Sequence, residues 1–153
     1  MSLKHKIFYK KFDSLSRKEI HDLFLLRSEV FVVEQNCVYQ DIDGKDEKAE
    51  HVLVKKNNKI IAYARVLMDS DPNYILIGRI VVSKKERGNS LGSYLLDFIL
   101  KKIHQKKPKR PIKIDRVSLF VINYQIFCKR SCILKTWYFI YSSFMPSLFE
   151  FCF

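Results

Sequence analysis

Paired cysteines are missing from this sequence, and so is an apolar segment at its N-terminus. The four cysteines stand at positions 37, 128, 132 and 152 without a CxxC spacing. Cys128 and Cys132 lie one helical turn apart, but no histidine is near them to complete a zinc site, so we expect no metal. Because the N-terminus lacks the apolar core of a signal peptide, we expect a reducing, cytoplasmic compartment.

Acidic side chains are also few, since 16 of them stand against 28 lysines and arginines and the formal net charge is +12. Such a surplus favours a polyanionic partner: nucleic acid, an anionic membrane surface or a phosphate-rich ligand. We expect no nucleic acid, because the sequence has no RNP-type aromatic motif and no helix-turn-helix signature. We also expect no membrane span, because the uncharged run from Thr136 to Phe149 is too short and contains Pro146.

The hydrophobic pattern predicts one domain of mixed α/β architecture. Ser16 and Glu19 form a capping box, and apolar residues at helical spacing then predict a helix to about Val30. The segment "HVLVKKNNKIIAYARVL" predicts a hairpin that turns at Asn57 and Asn58. Further strands are predicted in "KIFYKKF", "YILIGRIVVS" and "IKIDRVSLFVI", which gives an antiparallel meander feeding a strand, helix, strand unit.

Glycine is scarce too, yet two of the four glycines, Gly88 and Gly92, lie where the strand "YILIGRIVVS" gives way to a helix. This helix is predicted to begin near Asn89 or Ser90, both good N-cap types, and to end before Pro108. A basic turn with glycine before a helix N-terminus is a general anion site, because free backbone N–H groups point at the ligand. From the glycines alone, a phosphate site and an ordinary helix start are equally good interpretations.

The segment "IVVSKKERGNSLGSYLL" resembles motif A of the GNAT acetyltransferases, whose pattern is Arg/Gln-x-x-Gly-x-Gly/Ala. The segments "LRSEVFVVEQNCVYQDIDGKD", "HVLV" and "IIAYARVL" look like the ElaA-like branch of that superfamily. The resemblance implies the GNAT acyl-CoA N-acyltransferase fold, acetyl-CoA as co-substrate, and a small-molecule or peptide amine as acceptor. The family's central glycine is Ser90 here, and we expect this serine to occupy a helical position.

By position, the resemblance implies which residues bind acetyl-CoA. Val81 and Val82 pair with its pantetheine arm, while Lys84 and Lys85 are either phosphate partners or solvated turn residues. The segment "INYQ" resembles the family's Leu-Asn-Ala-Gln, which implies a donor-binding role for Asn123. The backbone N–H groups that cradle the pyrophosphate belong to Arg87, Gly88, Asn89, Ser90, Leu91, Gly92 and Ser93, and the Arg87 side chain is a further phosphate partner.

Direct attack of an amine on a thioester needs a neutral amine, a hydrogen-bond donor at the carbonyl oxygen and a proton for the leaving thiolate. In the family, the donor is a backbone N–H of the strand ending here at Val82, and the acid is a tyrosine for which Tyr124 or Tyr138 is the nearest substitute. We favour Glu34 as the base, because partial burial after "VFVV" would raise its pKa toward neutrality. The candidate bases, each of which also reads as a solvated loop residue, are Glu34, Asp41, Asp43 and His51.

Three arginines lie within otherwise apolar segments. Arg27, on the first predicted helix, is expected to be a packed member of an ion pair rather than a catalyst. Arg65 and Arg79, on neighbouring strands, are expected either to bind an acidic part of the acceptor or to pair with the acidic loop that follows the first helix.

Two other functions compete with acetyl transfer. One is a nonenzymatic protein, either an acyl-CoA binder or a basic nucleic-acid-binding module. The other is an acyl-homoserine lactone synthase-like enzyme, because those synthases share the GNAT fold and a region similar to "LRSEVFVVEQ".

From Val117 onward the composition changes, since these 37 residues contain four charged side chains, no glycine and seven of the twelve phenylalanines. The family's Phe-Tyr-x-x-Leu-Gly-Phe helix is missing. Codons for "TWY" and "IFCKR", read one nucleotide later, can encode Leu-Gly-Ile and Tyr-Phe-Ala-Lys-Glu, which are close to that pattern. We therefore predict a GNAT domain over residues 1–125 and an atypical hydrophobic tail over residues 126–153 that arises from a shifted frame or unspliced sequence.

We expect the truncated chain as written to bind the donor weakly and to acetylate amines slowly or not at all, because it has no tyrosine at the family's acid position. A chain whose tail is restored to the alternative frame should gain solubility and activity. Losing a general acid lowers a rate by about a hundredfold to ten-thousandfold. Thiol release from acetyl-CoA with a panel of small amines, on both chains and with folding checked, measures the difference. Comparable turnover by the two chains, or an intact frame in the transcript, would contradict the prediction.

Overall fold

The computed structural model describes residues 5–36 and 39–115, which form a five-stranded sheet with a helix on each face. The elements are β1 (Lys6–Lys11), α1 (Arg17–Arg27), a π-helical segment (Ser28–Glu34), β2 (Glu50–Lys56), β3 (Lys59–Leu67), β4 (Ile75–Val82), α2 (Leu91–Lys106) and β5 (Ile112–Ile114). The strands lie side by side in chain order; β1 to β4 are antiparallel, and β5 runs parallel to β4. The predicted mixed α/β class is confirmed.

Helix α1 begins where its capping box predicts. The Glu19 N–H donates to the Ser16 hydroxyl (3.2 Å), and the Ser16 N–H donates to the Glu19 carboxylate (2.7 Å). The α-helical pattern ends at Arg27, short of the predicted Val30, and the π-helical segment continues the chain to Glu34. π-Helical turns are rare and occur frequently at functional sites, so this segment is a place to look for one.

The hairpin of β2 and β3 is also confirmed. Asn57 (φ +49°) and Asn58 (φ +62°) both lie in the left-handed region. A two-residue type I′ turn needs positive φ at both central positions, and asparagine is one of the few residues besides glycine that adopt it readily. The local sequence therefore sets the pairing next to the turn, and the register of the two strands shifts by one further on, between Val54 and Lys55.

The sheet has a hydrophobic core on each face. Each Leu or Ile that is fully buried there contributes roughly 1.5–3 kcal/mol to folding. On one face, α2 packs its apolar stripe against the strands through Leu91, Leu95, Leu96, Ile99 and Ile103. On the other face, α1 and the π-helical segment contribute Leu23, Leu26, Val30 and Phe31.

Strand β4 contains one extra residue relative to β3. The pairing of the two strands shifts by one between Tyr63 and Arg65, and Arg79 at this bulge has a φ of +52°. Because side chains alternate along a strand, an extra residue moves every later side chain to the opposite face. Ile77 and Ile80 therefore both face α2 although they are three residues apart.

Several sequence predictions fall outside the described residues. The strand in "IKIDRVSLFVI" is described only as far as Ile114, and Asn123, Tyr124 and the tail of residues 126–153 lie beyond the part that the structure describes. Among the helices of residues 5–36 and 39–115, none has the length and apolar composition of a membrane span. Within the same ranges, no group of three metal-ligating side chains is arranged to hold an ion.

Candidate active site

The connection between β4 and α2, residues 83–90, is a compact turn that leads into a helix N-terminus. It contains a short 3-10 helix (Lys84–Glu86), followed by Gly88 at φ +83°. A Cβ at Gly88 would meet nothing within 4 Å, so the backbone conformation, not a lack of space, favours glycine there. We call residues 83–90 the β4–α2 turn.

Ser90, the N-cap of α2, differs from its expected helical conformation. It lies in the left-handed region (φ +56°, ψ +17°), and its side chain makes no capping hydrogen bond. A left-handed conformation costs an L-residue with a Cβ roughly 1–2 kcal/mol, which glycine avoids. The expectation of a helical serine is therefore wrong, and the family's glycine at this position has a conformational reason.

The main chain of Val82 faces the edge of β4 that lies toward β5. The Ser83 N–H donates to the Ile61 carbonyl on β3 (2.8 Å), so the main chain of Val82 points to the other side. Within the described residues, β5 pairs with β4 only as far as Ile77. The side chains of Val81 and Val82 are buried in the two cores, so a ligand at this edge would meet the main chain of Val82.

The Arg87 side chain is engaged with protein groups. Its Nε donates to the Val82 carbonyl (3.0 Å), its Nη2 donates to Glu34 Oε2 (2.8 Å), and its Nη1 donates to Glu34 Oε1. The guanidinium therefore joins three elements: the end of β4, the β4–α2 turn and the π-helical segment.

Glu34 lies on the surface at the end of the π-helical segment. Hydrogen bonds and the positive charge of Arg87 hold the pKa of Glu34 below the usual range of a glutamate. The expectation that burial raises this pKa toward neutrality is therefore wrong, because the carboxylate is exposed and faces a cation.

A buried ionic cluster lies between the sheet and α1. Its cations come from three different elements, and its anions come from the loop between the π-helical segment and β2. The cluster consists of Arg27 (α1), Arg65 (β3), Arg79 (β4), Asp41, Asp43 and Asp46.

Arg27 is the most deeply buried member, with a side chain that is 0% exposed. It donates from Nε to Asp41 (2.8 Å) and from Nη1 to Asp46 (2.8 Å), and its Nη2 donates to the Asp41 carbonyl (2.7 Å). The sequence prediction that Arg27 is a packed member of an ion pair is confirmed.

Arg65 and Arg79 hold the same loop from the strands. Arg65 donates to both Asp43 oxygens (2.6 and 2.8 Å), and Arg79 Nε lies 2.7 Å from Asp41 Oδ1. Hydrogen bonds from Arg65 hold the pKa of Asp43 far below its usual range. Asp41 and Asp43 are thus paired anions rather than free bases, and pairing with the acidic loop, one of the two predicted roles for these arginines, is confirmed.

His51 lies inside the core and is 0% exposed. Its Nε2 is 2.9 Å from the Asp46 carbonyl and its Nδ1 is 2.9 Å from the Tyr63 hydroxyl, so Nε2 carries the proton and Nδ1 accepts. Burial lowers the pKa of His51, which keeps the ring neutral. As a candidate base it is wrongly placed, because both ring nitrogens are occupied and no part of the ring reaches the surface.

A cleft of about 310 Å³ opens beside the ionic cluster. Asp41 is a member of the cluster and also lines the cleft, and Arg79 at the β4 bulge pairs with it. Asp41 therefore links the cleft to the bulged strand. Its mainly apolar lining comprises Phe24, Ser28, Val32, Tyr39, Asp41 and Ile42.

The structure thus brings Val82, Arg87 and Glu34 together and keeps His51 apart from them. Sequence reasoning missed Tyr39, whose ring lies 5.1 Å from the Arg79 guanidinium and lines the cleft. For the ionic cluster the sequence did carry a signal. Three arginines on apolar segments match three aspartates within the loop that follows the π-helical segment, and such matching charges predict ion pairs.

Comparisons with known proteins show the family and the fold of this chain. Residues 17–116 match the Acetyltransferase (GNAT) family. Protein ElaA of Escherichia coli is 40% identical over 116 residues, which cover 74% of this chain and 76% of ElaA. The crystal structure of Escherichia coli ElaA is 38% identical and has a TM-score of 0.69 over 72% of this chain and 77% of that chain.

Two further solved structures share the fold. An acyl-CoA N-acyltransferase from Pseudomonas aeruginosa is 32% identical, with a TM-score of 0.69 over 72% of this chain and 78% of that one. A predicted acetyltransferase from Clostridium acetobutylicum, solved with acetyl-CoA, is 15% identical, with a TM-score of 0.59 over 84% of this chain and 91% of that one. At that identity the second likeness concerns the fold alone.

The match to the GNAT family over residues 17–116, together with the fold shared with an acyltransferase of 32% identity, defines a transferase enzyme. The chain belongs to the GNAT acetyltransferase family, in its ElaA-like branch.

Two opposite substitutions test the conformation of the β4–α2 turn. Ser90→Gly should stabilise the protein by roughly 0.5–1 kcal/mol, because it removes left-handed strain. Gly88→Ala should destabilise it by about 1 kcal/mol, because it introduces the same strain. Urea unfolding without ligand measures both. Each variant is the control for the other, and equal unfolding free energies would contradict the left-handed assignment.

Asp46→Asn should destabilise the protein by about 3–5 kcal/mol, because it leaves the buried Arg27 and Arg65 without one of their anions. Asp22→Asn is the matched control: it breaks the Lys18 to Asp22 pair at the surface of α1 and should cost less than about 1 kcal/mol. Urea unfolding of both variants measures the difference, and similar losses would show that the cluster is not a buried charge network.

Proposed function

We propose that this chain transfers the acetyl group of acetyl-CoA to an amine. The observation that carries the proposal is the β4–α2 turn, where a glycine at positive φ precedes a helix N-terminus next to Val82, whose main chain faces away from β3. Membership of the GNAT family supports the chemistry of acyl transfer.

The turn has the features that bind the phosphates of the donor. The first N–H groups of α2 lack partners within the helix, and the helix dipole adds positive potential at this end. The side chains of Lys84 and Lys85 are exposed next to it. Leu91 is buried against the sheet, so its contribution would be its N–H alone. The proposed donor site comprises Val82, the two lysines and the backbone of residues 87–93.

In the proposed reaction, the amine nitrogen attacks the thioester carbonyl carbon. The bond from that carbon to sulfur breaks, CoA leaves as a thiolate that takes up a proton, and the nitrogen loses a proton as the amide forms. A main-chain N–H at the open edge of β4 stabilises the developing charge on the carbonyl oxygen. Tyr124, beyond the described residues, is the nearest substitute for the family's proton donor, and because it does not match the family's position we expect slow transfer.

We propose that the acceptor arrives already deprotonated, because none of the four base candidates is free to remove its proton. Arg87 holds Glu34, and His51 is buried. Asp41 and Asp43 pair with arginines. The neutral fraction of the amine then sets the rate of attack at a given pH.

The cleft beside the ionic cluster is the proposed acceptor site. Phe24, Val32, Tyr39 and Ile42 make its walls apolar, which suits an amine with a hydrocarbon or aromatic group next to its nitrogen. The three aspartates of the cluster balance its three arginines, so the cleft does not repel a cationic amine that approaches it.

Acetyl-CoA should raise the melting temperature of the protein, whereas acetate should not. At a donor concentration of one hundred times Kd, binding to the native state contributes about 2.7 kcal/mol. Gly92→Arg should abolish the shift, because it places a large side chain in the first turn of α2. Thermal unfolding with and without donor measures the effect.

The control for this prediction is Gln105→Arg, which adds the same side chain at an exposed position near the other end of α2. This variant should keep the shift of the unmodified protein. An unchanged melting temperature of the unmodified protein at saturating acetyl-CoA would overturn the proposed function.

A further inference from the structure

The pair of Glu34 and Arg87 joins segments that are 53 residues apart in the sequence. Both carboxylate oxygens of Glu34 accept from the guanidinium, and the remaining nitrogen, Nε, donates to the Val82 carbonyl (3.0 Å). Bidentate, charge-assisted pairs of this kind are strong and directional. The orientation of the Arg87 side chain is therefore fixed from two sides.

The first half of the β4–α2 turn is tied by the pair of Lys56 and Glu86, but residues 88–90 have little packing around them. Gly88 has open space around its missing side chain, and Asn89 and Ser90 are exposed. Glycine loses more conformational entropy than other residues when a turn orders, and Ser90 is strained in its left-handed conformation. Ordering this turn is therefore costly. Arg87 stands directly before these residues, so its fixed side chain restrains the backbone where packing does not.

The other end of the pair belongs to the π-helical segment, which also contributes to the cleft. Glu34 ends this segment, and Val32, two residues before it, lines the cleft. The pair thus ties the proposed donor turn to the segment that supplies a wall residue of the proposed acceptor site.

We propose that Glu34 is a positioning residue that, through Arg87, holds the β4–α2 turn in the conformation that binds the donor. This inference rests on the proposed function, because it takes the turn to be the acetyl-CoA site. It assigns Arg87 to the support of the turn from within the protein and Glu34 to the orientation of Arg87, and it gives neither side chain a proton to transfer.

The geometry favours this role over that of a base. A base needs a free lone pair directed at the acceptor, whereas both Glu34 oxygens accept from Arg87. The pairing also lowers the pKa of Glu34, which makes the carboxylate a weaker proton acceptor.

Glu34→Gln in the full chain tests the proposal, with acetyl-CoA as the probe and calorimetry as the measurement. We expect Kd for acetyl-CoA to rise on the order of tenfold, because the amide keeps at most one weaker bond to Arg87. Where an amine substrate has been found, KM for acetyl-CoA should rise while kcat at saturation changes by less than about threefold.

Glu29→Gln is the matched control. Glu29 is an exposed carboxylate of the same π-helical segment that does not line the cleft, so the variant removes the same charge without touching Arg87 or the turn. It should change Kd by less than about threefold, which separates positioning from the general electrostatic effect of one lost carboxylate.

Arg87→Lys provides a second variant, because lysine cannot bond Glu34 and Val82 together in the same geometry. It should weaken donor binding to a similar extent, and the Glu34→Gln/Arg87→Lys double variant should be no weaker than either single variant. Thermal unfolding without donor confirms that each variant is folded.

Three results would overturn the proposal. An unchanged Kd in Glu34→Gln means that the pair does not support the turn, and a tighter Kd means that Glu34 only masks a phosphate-binding arginine. A loss of about a hundredfold in kcat with an unchanged Kd means that Glu34 is the base. If the unmodified protein does not bind acetyl-CoA, the proposed function fails and this inference falls with it.

Discussion

One extra residue in β4 determines how the rest of the site is arranged. Before the bulge at Arg79, the main chain of Ile77 faces β5; after it, the main chain of Val82 faces that side. The same insertion directs the Arg79 side chain toward the acidic loop under α1. Without it, the alternation of the strand would bring the Arg79 side chain to the α2 face, into an apolar core. The register shift therefore determines both the side to which the Val82 main chain faces and the position of the ionic cluster.

The ionic cluster, rather than a helix or strand, holds the long connection between the π-helical segment and β2 in place. Residues 35–49, between the π-helical segment and β2, contain no helix or strand among those described, yet Asp41, Asp43 and Asp46 sit at fixed positions. Three arginines from α1, β3 and β4 provide donors in a rigid planar geometry that carboxylates match. Because the cations come from separate elements, the loop can close only when the sheet and α1 have come together. This makes the shape of the cleft a consequence of the tertiary fold.

The sequence predicts those features that local rules determine. The capping box at Ser16 and the paired asparagines of the hairpin each need only their neighbours in the sequence. The bulge is different, because "RIVVS" reads as a continuous apolar strand and only the pairing with β3 reveals the extra residue. The sequence predicts that Arg27, Arg65 and Arg79 form ion pairs, because buried cations need anions. Which aspartate each arginine pairs with depends on the tertiary fold.

The same distinction between local sequence and tertiary fold applies to the site residues. The β4–α2 turn was predictable as a candidate site, because a strand, a glycine and a helix start are adjacent in the chain. The environments of Glu34 and His51 were not, because pKa depends on groups distant in sequence: an arginine 53 residues away for Glu34, and burial within the core for His51. Reasoning from neighbouring apolar residues assigned burial to Glu34, whereas the fold gives that burial to His51.

The β4–α2 turn must satisfy two opposing requirements. To bring its N–H groups close to phosphates, the turn needs an exposed backbone with few side chains. Transfer between two substrates also needs exact placement, since a misplacement of about 1 Å can cost about a hundredfold in rate. Packing at the outer surface of the turn would occupy the space that an anion needs. A restraint from the inner side has no such cost, and Arg87 provides one through the Val82 carbonyl. Because Glu34 anchors that restraint to the segment lining the cleft, the two proposed substrate sites share a support, which favours a fixed distance between them.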